Sequence, residues 1–132
     1  NKLLLNLDTG DEVISTLKKI AEKESIDLAI IYGVGKSSEA ILGLYDQVSN
    51  RYFIEEFNED MTIVNLHGNI ALINGKPYIK CCASLSEDGL VFIRGHLAKA
   101  VIEDSAEFII DLMPGQVILD QNNFTPADLL NI

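Results

Sequence analysis

Hydrophobic and polar positions along the chain change period several times, and each change marks an element. Leu3, Leu4, Leu5 and Leu7 form an apolar run of strand type. After the polar residues 8–12 the period lengthens. Val13, Ile14, Leu17, Ile20 and Ala21 recur at helical spacing, while Lys18, Lys19, Glu22 and Lys23 take the opposite side. This predicts an amphipathic helix packed on a sheet, with Thr9 as N-cap and Glu12 at N3 completing a capping box. Leu28, Ala29, Ile30, Ile31 and Tyr32 return to strand character and end in Gly33-Val34-Gly35. That glycine pair lacks both the Walker spacing and the full dinucleotide fingerprint, so it reads as a tight turn using positive φ.

Two hairpins follow. Residues 40–46 and 51–57 flank a polar connection and pair as strands. Glu55, Glu56, Glu59 and Asp60 lack the spacing of a calcium loop and read as a solvated strand end. Residues 62–73 and 76–86 are joined by Asn74-Gly75, the preferred pair for a type I′ two-residue turn. That turn sets the register: Ile73 opposite Lys76, Leu72 opposite Pro77, Ile70 opposite Ile79 and Leu66 opposite Ala83. Strand alternation then gives one apolar face of Val64, Leu66, Ile70, Leu72, Ile79, Cys81, Ala83 and Leu85. The other face carries His67, Asn69, Tyr78, Lys80, Cys82 and Ser84.

The turn at Glu87-Asp88-Gly89 leads into a strand at residues 90–93. Arg94-Gly95-His96-Leu97 reads as an interrupting loop before a last long strand over residues 100–112. The alternation there is untidy, which suits a strand with one face in a subunit contact. The domain ends at residue 113, and 114–132 form a tail. Within it Thr125-Pro126-Ala127-Asp128 predicts one or two helical turns, with threonine as N-cap and proline at N1.

Composition narrows the function classes. The chain carries 20 acidic against 10 basic residues, a formal charge of −10, and its basic residues are scattered. Affinity for DNA comes largely from Lys and Arg neutralising phosphates, so this balance opposes unaided duplex binding. No apolar run approaches the roughly 20 residues that a membrane helix needs. The only cysteines, Cys81 and Cys82, are adjacent and close no loop. Free thiols in a reducing cytoplasm is the expectation, and no secretory leader is read.

The order of short motifs adds a resemblance. Gly10-Asp11-Glu12 at the helix start, Gly33-Val34-Gly35, Leu42-Gly43-x-Tyr45-Asp46, Leu66-x-Gly68-Asn69, Gly75-Lys76-Pro77 and Gly95-His96-Leu97 follow one another. Together, over residues 2–113, they resemble the plants and prokaryotes conserved domain. The resemblance implies an α+β fold, a mainly antiparallel sheet flanked by helices, assembled as a homotrimer. It also implies a DNA-associated or regulatory role. In plants the domain stands beside AT-hooks, and the chain has no Arg-Gly-Arg-Pro hook. Prokaryotic members resemble one another in a His-x-His pair after Gly-Lys-Pro and a third His in Gly-Gly-His-Leu, a set suited to a metal ion. Here those positions hold Lys80, Cys82 and His96, and Arg94 replaces the first glycine of the loop. A lysine among ligands repels a divalent cation, so zinc or another divalent metal is disfavoured as cofactor.

The hairpin register supplies a site of its own. His67 lies across from Cys82 and Asn69 across from Lys80, at Cβ separations of about 4.5–5.5 Å. A Gly95-His96-Leu97 loop folded over that face would bring His67, Cys82 and His96 together, two imidazoles and a thiolate that suit zinc. Lys80 beside Cys82 would alternatively mark an activated thiol. The plainer reading makes the histidines hydrogen-bonded structural groups and Cys82 a small hydrophobe at an interface. Without a base, oxyanion hole or substrate site in the pattern, an enzyme is not expected. The expected function is thus a DNA-associated or regulatory module whose partners are its own copies and DNA or a DNA-binding protein. The alternative is a metal- or small-molecule-binding protein using the His/Cys/Lys face.

Overall fold

The computed structural model describes residues 1–116 and 118–119. Its elements are β1 (Lys2–Asp8), α1 (Val13–Lys23), β2 (Ala29–Asp46), β3 (Arg51–Phe57), β4 (Met61–Ile73), β5 (Lys76–Ser86), β6 (Ile93–Leu112) and β7 (Ile118–Leu119). Seven strands make one sheet: six run in the order β1-β6-β5-β4-β2-β3, and β7 lies off that path beside β4. Every pairing is antiparallel except that of β7, which runs parallel to β4 through Leu72 and Ile73. The expected sheet is there, but among the described residues a single helix packs on it, not several. The helical turn read at residues 125–128 lies outside the described residues.

The long strands β2 and β6 shape the molecule. β2 pairs with β4 and also with β6, and β5 joins β4 to β6, so these four strands close into a ring. The inside of that curl is the core. Ile31, Leu42, Leu66, Ile70, Cys81, Ala83, Leu97, Phe108 and Ile110 are buried there. α1 covers the curl with Val13, Leu17 and Ala21 and packs on β5 and β6.

The helix starts differently from the capping box. Glu12 is the N-cap: its carboxylate accepts from the N–H groups of Ile14 and Ser15, both at 2.9 Å. It also accepts from Ala100 N–H on β6 at 3.0 Å, so one side chain both caps the helix and ties it to the sheet. Loss of such a cap typically costs about 1 kcal/mol. Thr9 serves the sheet instead. Its hydroxyl accepts from Asp104 N–H at 2.9 Å, where β6 bulges with Asp104 at φ 70°. That bulge explains the untidy alternation of residues 100–112: Ser37 pairs with Ile102 and Gly35 with Ala106, leaving extra β6 residues between them.

Gly33 and Gly35 are not in a turn. Both lie inside β2, a continuous strand of 18 residues, and neither has positive φ. A Cβ on Gly33 would sit 1.7 Å from the Phe108 ring, so glycine is needed there for close approach. Asn74 and Gly75 do adopt positive φ, 52° and 78°, as a type I′ turn requires. The register this turn imposes holds from Ile73↔Lys76 through Leu66↔Ala83. It shifts between Ile63 and Asn65, which buries Ile63 and turns Val64, expected inside, out to solvent. Residues 90–92 precede β6 as an exposed apolar segment, with Leu90 and Val91 backbone N–H groups donated to Asp88 Oδ1.

Candidate functional site

Directly paired residues on neighbouring strands point to the same side of a sheet. Following the pairs from strand to strand therefore traces a row on one face. Leu4 pairs with Ile109, Ile109 with Tyr32, Tyr32 with His67, His67 with Cys82, Cys82 with His96, and His96 with Gly43. The row runs along the outside of the curl, and β6 and β2 each enter it twice. Its first part is apolar and its second part polar.

The polar part contains the residues singled out in the sequence. His67, Cys82 and His96 are side by side on three strands. Arg94 and Lys80, two positions from His96 and Cys82, share their face by strand alternation. Asn69 pairs with Lys80 as the turn predicts. Gly95, His96 and Leu97 are not a loop that folds over this face. They are part of β6, with Gly95 on Ala83, His96 on both Cys82 and Gly43, and Leu97 in the core on Leu42. His96 keeps only 5% of its surface exposed, whereas His67 and Arg94 are exposed.

Arg94 Nη2 lies 3.0 Å from His67 Nε2. A guanidinium only donates, so His67 accepts through Nε2 and carries its own proton on Nδ1. The lone pair that a metal would use is thereby engaged by a cation. Among the described residues no three His, Cys, Asp or Glu side chains group to hold a metal ion. His67, Cys82 and His96 form a row, and with Lys80 and Arg94 among them the donor set does not fit a divalent ion.

Lys80, Cys82, Arg94, Gly95 and His96 instead border an open cleft of about 700 Å³. Gly43, Tyr45, Gln47 and Tyr52 complete its lining, with Gly43 paired directly to His96. Tyr45 and Tyr52 are direct cross-strand partners, with ring centroids 4.5 Å apart and planes tilted by 40°. The Tyr45 hydroxyl is hydrogen-bonded to Asn50 Oδ1, which fixes that ring. His67 is not among the residues that line the cleft. The sequence reading missed Tyr45, Gln47 and Tyr52. The hairpin of residues 40–57 was legible, and extending its pairing to Tyr45 and Tyr52 would have found the ring pair, though not its position beside His96.

The two thiols differ as the register requires. Burial pushes the Cys81 thiol from 9.0 up to about 12, and its neighbours Cys82 and Glu12 add to the shift. Cys81 is a core residue. Cys82 is half-buried on the polar face.

The apolar part of the row borders a smaller groove of about 300 Å³. Leu4, Tyr32, Val34, Val64 and Ile109 line it, each at least 40% exposed. Gly33 and Leu66 are also in its lining, and Glu107 is the charged residue among them.

A family model described as the Plants and Prokaryotes Conserved (PCC) domain matches residues 1–114. Among curated proteins none matches the chain. Solved structures do. A metal-containing protein of Archaeoglobus fulgidus is 28% identical over 92% of this chain and 87% of its own, with a TM-score of 0.80. A protein of Ralstonia eutropha JMP134, provisionally named as DNA-binding, is 26% identical over 90% and 84%, with a TM-score of 0.78. A plant- and prokaryote-conserved protein of Pyrococcus horikoshii, 22% identical over 97% and 87%, shares the fold with a TM-score of 0.81.

Proposed function

The chain belongs to the Plants and Prokaryotes Conserved domain family, and from that premise we propose that it is a homotrimeric regulatory module that reaches DNA through a partner. The observation that carries this reading is the apolar part of the outer row. Leu4, Tyr32 and Ile109 stand 67%, 51% and 42% exposed beside Val34 and Val64. A continuous apolar patch of this kind marks a surface meant to be covered. A threefold ring needs two different complementary surfaces on each subunit. The groove offers one, and the segment of Leu90, Val91 and Phe92, exposed at 83%, 67% and 53%, offers the other.

The DNA part rests on the name given to the Ralstonia relative and on charge. With 20 acidic and 10 basic residues, the chain lacks the cationic surface that duplex affinity demands. Light scattering after gel filtration tests the assembly: a mass three times that of the chain is expected, and a monomer overturns it. A shift assay with duplex DNA at low salt tests the rest. No shift is expected, and salt-sensitive direct binding would overturn the partner-mediated role.

A second reading is favoured by the cleft: a module that binds a small molecule in the cleft bordered by Lys80, Arg94, His96, Tyr45 and Tyr52. The two readings are compatible, since the cleft and the apolar groove lie on different stretches of the sheet.

A further inference from the structure

We infer that the edge of β3 is where the DNA-binding partner docks, adding an extended Lys/Arg-rich segment to the sheet as a further strand. The inference rests on the partner-mediated reading above and names the chemistry of that partner. β3 stands at one end of the strand order, and among the described residues only β2 pairs with it. Its far side presents a row of backbone N–H and C=O groups, which is what strand addition uses. The pairing with β2 runs from Ala40↔Phe57 to Asp46↔Arg51 without a bulge, and the strand contains neither proline nor lysine. Those are the devices that commonly close an edge to incoming chains.

The edge makes the site, and its charge selects what enters. After Arg51, whose guanidinium lies over the Phe53 ring at 5.6 Å, every charged residue through Asp60 is acidic: Glu55, Glu56, Glu59 and Asp60. Asp60 has Lys36 beside it at 3.9 Å, while Glu55 and Glu56 stand exposed on the strand itself, on opposite faces. A second copy brings its own formal charge of −10, and duplex DNA its phosphates, so this edge repels both. A cationic segment is attracted, and Lys and Arg are what a DNA-binding protein carries for phosphates.

Cross-strand neighbours then read the segment residue by residue. Antiparallel addition sets cations against Glu56 and Glu55, and apolar side chains against Ile54 and Phe53, which are 60% and 41% exposed. The matching segment reads cation-cation-apolar-apolar from its N-terminus, with further cations upstream facing Glu59 and Asp60. β3 lies at the opposite end of the strand order from β1, whose Leu4 lines the apolar groove. Docking and assembly thus use different surfaces.

Fluorescence anisotropy of a labelled peptide, Lys-Lys-Thr-Lys-Arg-Val-Ile-Thr, titrated with the full chain tests this. Binding with a dissociation constant below about 1 mM is expected, weakening as salt rises. Glu55→Gln combined with Glu56→Gln should weaken it about tenfold, through the loss of two opposite-charge cross-strand pairs. Glu22→Gln, on the exposed side of α1, should leave it unchanged. Circular dichroism of each variant verifies that the fold is kept. Hydrogen exchange should slow at those amides of residues 51–57 that point away from β2. The same peptide N-methylated at every residue keeps its charge but has no N–H to pair, and should not bind. Equal binding of the methylated peptide, or an equal loss from Glu22→Gln, overturns strand addition in favour of charge attraction alone. No binding up to about 1 mM overturns the β3 site. The partner-mediated reading falls separately, by direct duplex binding in the shift assay, whatever the peptide does.

Discussion

Leu4, Ile109 and Tyr32 stand at one end of the outer row, and His67, Cys82 and His96 continue it, yet their burial runs against their chemistry. The apolar residues are largely in solvent, while His96 is almost wholly enclosed. Exposed apolar groups and buried polar ones are the two informative departures from ordinary burial. At the apolar end the sheet presents a surface that no described residue of the chain covers. At the polar end it has used its own strands to wall a cleft. One backbone register produces both, so the difference lies in the side chains and in how β2 and β6 re-enter the row.

The contrast breaks most completely at the apolar end. Tyr32→Glu combined with Ile109→Glu puts two carboxylates beside Glu107 in the groove, and the proposed trimer should fall to monomer. Light scattering would show the threefold drop in mass, and an unchanged mass would place the interface elsewhere. Beneath the same groove, Phe108→Ala removes the ring that lies on Gly33, fully buried in the core. A loss of about 3–5 kcal/mol in urea unfolding is expected. A loss under about 1 kcal/mol would mean that the groove floor is not part of the core.

The cysteines sharpen the comparison across the thickness of the sheet. In the unfolded chain the Cys81 thiol ionises near 9.0, while in the folded chain it holds its proton to about 12. The folded state therefore binds more protons between those values. Its advantage is complete below pH 9 and is lost as pH rises toward 12, by about 1 kcal/mol per pH unit. Cys81→Ala should flatten that alkaline slope in denaturation curves, and Cys82→Ala, which removes only a cause smaller than burial, should flatten it less. The smallest effect belongs to the polar end. Arg94→Gln should change unfolding stability by no more than about 0.5 kcal/mol, since the residue is exposed. A larger loss would make the Arg94–His67 contact a structural strut.

Local chemistry made much of this legible. Asn74-Gly75 announced its turn, and from that turn the placement of His67 on Cys82 and of Cys81 in the core followed by counting. The misreadings share a cause. Gly33 resembles a turn residue in the sequence because its reason, the Phe108 ring, lies on a strand far along the chain. Thr9 met the usual capping pattern, but Asp104 on β6 claims its hydroxyl and the longer Glu12 caps the helix. Gly95-His96-Leu97 resembled a loop because the β2 residues that pair with it cannot be seen locally. The place of Tyr45 and Tyr52 beside His96 is hidden for the same reason. The expected fold class stands with a single described helix, and register places His67, Cys82 and His96 side by side on three strands.

The closed ring of β2, β4, β5 and β6 also bears on the order in which the chain folds. Its β4–β5 hairpin joins near neighbours through a two-residue turn and can form within microseconds. Closing the ring requires Ala29 to meet Leu112 and Gly43 to meet His96, contacts between distant parts of the sequence. Such closure carries its entropy cost before the contacts repay it, which places folding toward the slow end for a domain of this size. Until β6 docks, the edges of the young hairpin stay open to strands of other chains. Crowding during refolding, more than heat, is then the condition under which this protein should aggregate.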